Sequence, residues 1–207
     1  MTYDRSKSSE FHSKTHIPIY CLEAEGKPVS KKVVNEIERA SLTTFRVLGE
    51  STAQYQKGAR FEDLVDPLAR DKQELRTFPR KPNTDQKAMA VVVSTQPVYD
   101  NKGREVIALN TENNVQFVNL RRIDDQFSEG SSQVSLEVKA GIAIVEEVVH
   151  HIQYTHWGRK RSENTDSMND IDLHLQDRIE AEAAPLKKEV YRALYPSLDI
   201  RVKGVDF

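Results

Sequence analysis

The stretch AGIAIVEEVVHHIQYTHW, residues 140–157, constrains this chain more than any other, because an unbroken apolar run leads straight into two glutamates and two histidines. A run of that kind without alternation reads as a helix whose first half is buried on nearly every side. Val145, Val148, Val149 and Ile152 continue one core face, while Glu146, His150, Gln153 and Trp157 share the opposite side. Glu146 and His150, four residues apart, lie about 40° apart around the helix and can converge on one ion. The side opposite an apolar stripe is ordinarily solvated, and Glu and His are common there. Here that side begins directly behind a buried segment, which raises the standing of a metal site.

At 207 residues the chain is long enough for one sizeable core. We read residues 1–15, rich in Ser, Lys and Thr without a period, as a flexible arm and residues 16–207 as a single domain. Hydrophobic residues at 38% and charged residues at 30% suit a folded chain with a well-solvated surface. Thirty basic against 32 acidic residues leave a net charge of -2, which gives no global attraction to nucleic acid or to an anionic membrane. No segment approaches the roughly 20 apolar residues of a membrane span, and residues 1–16 lack the apolar run of a secretory leader. The lone Cys21 lies in an apolar run, IPIYCLE, and is expected as a buried small hydrophobe. These readings place the protein in a reducing, cytoplasmic setting, with leaderless secretion left open.

The periodicity predicts an α+β fold. A short strand over 17–22 precedes a helix capped by Ser30, with Val33, Val34, Ile37, Ala40 and Leu42 on its apolar face. A second helical pattern runs over 60–75, and a basic, proline-containing loop follows over 76–87. Strands are expected over 88–93, 105–109 and 115–120, and their short connections predict an antiparallel meander. The long helix is expected to begin at Ser131 or Ser132 and to end near Trp157, with Gly158 as its stop. The last helix begins at Asp170, carries Ile171, Leu175, Ile179, Leu186 and Val190 as its stripe, and is expected to kink at Pro185, which deletes one backbone donor.

Hydrolysis at a metal needs two or three protein ligands, an open position for water and a carboxylate able to take a proton. The two C-terminal helices offer all three. Glu146 and His150 can ligate, Glu147 stands to the side of them as a general base, and Asp177, Glu180 and Glu182 cluster thirty positions after His150, far enough for an antiparallel return. Such a set can hold zinc, since carboxylate oxygens bind it at a similar distance to imidazole, and two or three carboxylates with one histidine also suit manganese or iron.

Glu146-Glu147-Val148-Val149-His150 followed by Glu180-Ala181-Glu182-Ala183-Ala184 resembles the two-helix core of the small zincin metallopeptidases of the gluzincin kind. The first histidine of the usual His-Glu-x-x-His pattern is replaced by Glu146. The second motif matches Glu-x-x-Ala/Ser-Asp/Asn except at its last place. The resemblance covers residues 88–195 and implies a zincin-like core, an antiparallel sheet carrying an active-site helix and then a glutamate-bearing helix. It further implies a metal held by Glu146, His150 and Glu180, Glu147 as the base that deprotonates water, and a peptide or protein substrate. Glu182 remains the alternative third ligand, although its place between Ile179 and Leu186 demands a partner for its charge. A catalytically inactive zincin-like module that binds protein is the alternative function. His151 projects about 100° from His150 and is expected beside the site or at the surface. Nucleotide-binding glycine loops, a serine elbow and paired zinc-ligating cysteines are absent from the sequence.

Overall fold

A computed structural model describes residues 8–11, 17–52, 89–100, 103–110, 115–123, 134–159 and 170–197. The helical pattern over 60–75 and the basic loop over 76–87 lie outside the described residues. The elements are, in chain order, β1 (Ser8–Phe11), β2 (Ile19–Leu22), α1 (Lys31–Val47), β3 (Ala90–Ser94), β4 (Ala108–Asn110), β5 (Val115–Asn119), α2 (Leu136–Thr155) and α3 (Asp170–Leu194). Ser8–Phe11, inside the stretch read as an arm, pair antiparallel with β2.

The sheet is mixed, which corrects the antiparallel expectation. Its order is β1-β2-β3-β5-β4, with β2, β3 and β5 mutually parallel and β4 antiparallel to β5. The reversals of direction from β3 to β4 and from β4 to β5 are those of a meander. What differs is the spatial order, because β5 inserts between β3 and β4 and so becomes a parallel neighbour of β3. Burial explains the order. All five residues of β3 and of β5 are buried, as a strand covered on both faces requires, whereas the three residues of β4 are only half-buried and sit at the edge. After β3, Asp100 accepts from the Arg104 backbone and side chain, and Gly103 takes φ 75°.

Alternation within the strands divides the core. Ile19, Cys21, Val91, Val93 and Val118 join the helices in the larger cluster, while Tyr20, Leu22, Val92, Val115 and Phe117 line the other face of the sheet with Val98. Cys21 is fully buried, as its apolar run predicts.

Helix starts follow their caps. Ser30 Oγ accepts from the Val33 amide at the head of α1, and Ser135, later than the expected Ser131 or Ser132, does the same for Val138 at the head of α2. Gly158, at φ 65°, follows α2 and lets the Arg159 amide return to the Gln153 carbonyl. Pro185 lies inside α3 and does not end it.

The three helices pack by a simple rule of register. Phe45 meets His151, and Glu50 meets His156 and Trp157, so α1 and α2 run the same way. Gln153 reaches Ile179, Glu146 reaches Lys187, and the Ile142 carbonyl accepts from Tyr191, so α3 returns antiparallel along α2. A joint closes the bundle at Gly141. There Tyr195, just past α3, donates to Glu36 of α1, and Arg39 both pairs with Glu36 and covers the Tyr195 ring. A Cβ on Gly141 would run into the Tyr195 hydroxyl and the Glu36 side chain, so the glycine makes room for this bond.

Candidate metal centre

The ridge 146, 150, 153 of α2 faces α3. Its residues are therefore not a wet face: His150 is 8% exposed and Gln153 fully buried. Opposite it, α3 presents Glu180, Ala183 and Lys187, spaced three and four apart on one side of the helix. Ala183 is small and buried, which allows the two helices to approach between the polar pairs.

Glu146, His150 and Glu180 each bring one ligand atom into a group whose members all lie within 4.8 Å of one another. Among the described residues this is the group of histidine, cysteine and carboxylate side chains arranged so that it could hold a metal ion. His150 Nε2 stands 3.4 Å from Glu180 Oε1. The Glu146 and Glu180 side chains are 30% and 43% exposed, so the centre opens to solvent on one side. An oxygen, oxygen, nitrogen set with an open side is compatible with zinc and with harder first-row metals.

Gln153 sets the orientation of the imidazole. Its Nε2 donates to the Ile179 carbonyl at 3.1 Å and to Glu182 at 3.0 Å, and a backbone carbonyl can only accept. The amide oxygen is thus the atom that lies 3.0 Å from His150 Nδ1. A neutral His150 then carries its hydrogen on Nδ1, which leaves the Nε2 lone pair turned toward Glu180, as a ligating nitrogen requires.

Glu182 is engaged elsewhere. Arg159 grips both of its oxygens, at 2.6 Å in the shortest contact, and this guanidinium holds the Glu182 carboxyl below the usual carboxylate range. Of the two candidates for a third ligand, geometry brings Glu180 to the group and assigns Glu182 to Gln153 and Arg159. Asp177 is exposed and outside the group.

Lys187 of α3 stands against the same group. Its Nζ lies 3.1 Å from Glu146 Oε1 and 3.6 Å from Glu180 Oε2, and its side chain is 6% exposed. The signal for it was its position, seven residues after Glu180 on the same side of α3.

Glu147 is buried at 9% exposure and lies outside the triad, one residue round the helix. Its backbone carbonyl accepts from Asn110 Nδ2 at 3.3 Å, which ties this turn of α2 to the edge strand β4. His151 is fully buried beside Phe45 and His156, not at the surface. His156 Nδ1 and Trp157 Nε1 each lie 2.7 Å from a Glu50 oxygen. Tyr154 stacks on His150 with ring centroids 6.2 Å apart.

Comparison of the chain with family models, with curated proteins and with solved structures gave no match. Among the described residues no helix is long and apolar enough to cross a membrane.

Proposed function

We propose that Glu146, His150 and Glu180 hold one divalent metal ion, zinc in the first instance, and that the protein is a zincin-like peptidase. The observation that carries this reading is the convergence of the three ligand atoms within 4.8 Å on a partly open side of two packed helices. The lone-pair orientation that Gln153 gives His150 supports it independently.

A metal at this place would supply a Lewis acid that polarises a peptide carbonyl and acidifies water. Glu147 takes the proton from the attacking water and returns it to the leaving amine. Gln153 holds His150 in its ligating tautomer, and Asn110 fixes the Glu147 turn against β4. The outer edge of β4 has no strand neighbour among the described residues, and an extended peptide added there would run beside that turn. The active-site helix after a sheet with an antiparallel edge strand, and then the glutamate helix, fits the implied zincin order.

A second reading has its own support: a catalytically silent module of the same fold that binds protein. Lys187 already places a cationic group against two of the three ligands, as an inactive site would. Elemental analysis of protein purified without chelator, joined to a peptide-library cleavage assay, separates the two. Metal at about one equivalent with cleavage supports the peptidase, and metal-free, inert protein leaves the module.

A further inference from the structure

Glu146 and Glu180 belong to different helices, and both carry negative charge into a contact that α2 and α3 make along their length. Two carboxylates brought together in this way repel unless a cation lies near both. The chain supplies one. Lys187 Nζ is within 3.6 Å of an oxygen of each, on a side chain only 6% exposed, so the ammonium is held by these two groups and not by solvent. His150 is the remaining member of the group and already has Gln153 on its Nδ1. Arg159 is occupied by Glu182, the next acidic residue along α3.

We infer that Lys187 is the resident cation of the centre and an internal competitor for its metal. The inference rests on reading Glu146, His150 and Glu180 as a cation site, and it adds how that site is regulated. Loading a divalent ion is then an exchange: the metal takes carboxylate oxygens that now face Nζ, and the ammonium gives up at least one of its two contacts. A protein with this device stays folded and closed at its α2–α3 seam without metal, and it admits metal only when the free ion is abundant enough to displace a tethered amine. The tether matters because the competitor's effective concentration does not fall on dilution.

The test compares wild type, Lys187→Met and Lys187→Arg, with zinc affinity read by competition against a chromophoric chelator. Met keeps the length of the side chain and removes the charge, whereas Arg keeps the charge. Lys187→Met should bind zinc at least about tenfold more tightly than wild type, and Lys187→Arg should not. Thermal melts of the metal-free proteins should rank Lys187→Met lowest, and zinc should restore that variant most.

Equal affinity in wild type and Lys187→Met, or tighter binding by Lys187→Arg alone, overturns the inference. If Lys187→Met folds poorly even with zinc, a crystal structure of zinc-loaded wild type decides. Nζ drawn away from Glu146 or Glu180 upholds the exchange, and both contacts intact beside a seated metal reject it. Tight zinc binding by Lys187→Met without peptide cleavage by any variant would sink the peptidase and leave the competitor standing.

Discussion

His150 Nε2 and Glu180 Oε1 face each other at 3.4 Å across the seam between α2 and α3, and the amide of Gln153 places the hydrogen of the neutral imidazole on its far nitrogen. The two atoms that meet are then both acceptors. A cation between or beside them resolves that opposition, and this makes metal content the first quantity to measure. His150→Ala should bring retained zinc, manganese or iron below about a tenth of an equivalent, since it removes the nitrogen ligand. Glu147→Gln should keep the metal and the fold and lower peptide cleavage by ~10²- to 10⁴-fold. Cleavage that survives Glu147→Gln undiminished would take the base role away from this residue.

Gln153 never touches the ion in this reading, yet it should control affinity. Gln153→Leu frees the His150 ring to take either tautomer, and metal affinity is expected to fall by about 10- to 100-fold, the usual scale for the loss of a group that orients a ligand. A chelator competition titration reads this directly. Unchanged affinity would mean that packing against Tyr154 is enough to aim the ring.

The joint at Gly141 predicts a stability effect far from the chemistry. Gly141→Ala should destabilise by about 1 to 3 kcal/mol, because the added methyl collides with the Tyr195 hydroxyl and Glu36 within a packed interface. The same substitution made on Tyr195→Phe should cost less, since the nearest colliding atom is gone. Additive losses in that double-mutant cycle would place the strain elsewhere.

Alkaline denaturation should be steep. Burial pushes both the Tyr191 and Tyr195 hydroxyls well above the ordinary tyrosine range, with Glu36 adding to the effect at Tyr195. In the unfolded chain both lose their protons near pH 10, while the folded protein keeps them. The unfolded state then binds fewer protons, so stability is full below about pH 10 and falls as pH rises beyond it, by up to about 1.4 kcal/mol per pH unit for each tyrosine. Urea midpoints from pH 9 to 11 should show this slope, and Tyr195→Phe should remove about half of it.

Gln116 offers the opposite kind of change. It lies on the helix-facing side of β5, fully buried, with neither amide atom hydrogen-bonded among the described residues. Replacing it with Met, similar in volume and without the polar ends, should stabilise the protein by about 1 to 2 kcal/mol. Loss of stability would instead reveal a partner for this amide that the fold keeps there.

Where the sequence was legible, a local rule was at work. Ser30 stands before an amphipathic run and caps α1; Gly158 stands after one and closes α2. Glu146 and His150 were placed together by helical spacing alone, and Glu180 by spacing and a motif. The misreadings came from choices that local rules do not make. Direction reverses from β3 to β4 and from β4 to β5 as expected, but nothing local says that β5 will take the inner place and push β4 to the edge; the burial of Val115, Gln116 and Phe117 decides it. Likewise His151 looked like a neighbour of the site, although only the presence of Phe45 on another helix settles where its ring goes. Lys187 was visible as a charge of the right sign, but its two partners sit on different helices, and that requires the register of α2 against α3.

The head of α2 is pinned where Tyr195 and Glu36 join across it, and its tail is pinned where Glu50 receives His156 and Trp157. Glu146 and His150 lie between the two fastenings, like a load on a beam supported at both ends. Such a segment resists swinging outward, and α3 is itself tied through Tyr191 and Tyr195, so room for an ion comes from side chains rotating. The spacing of the two ligands on α2 is accordingly set before anything binds, and only the distance across to Glu180 is left to adjust.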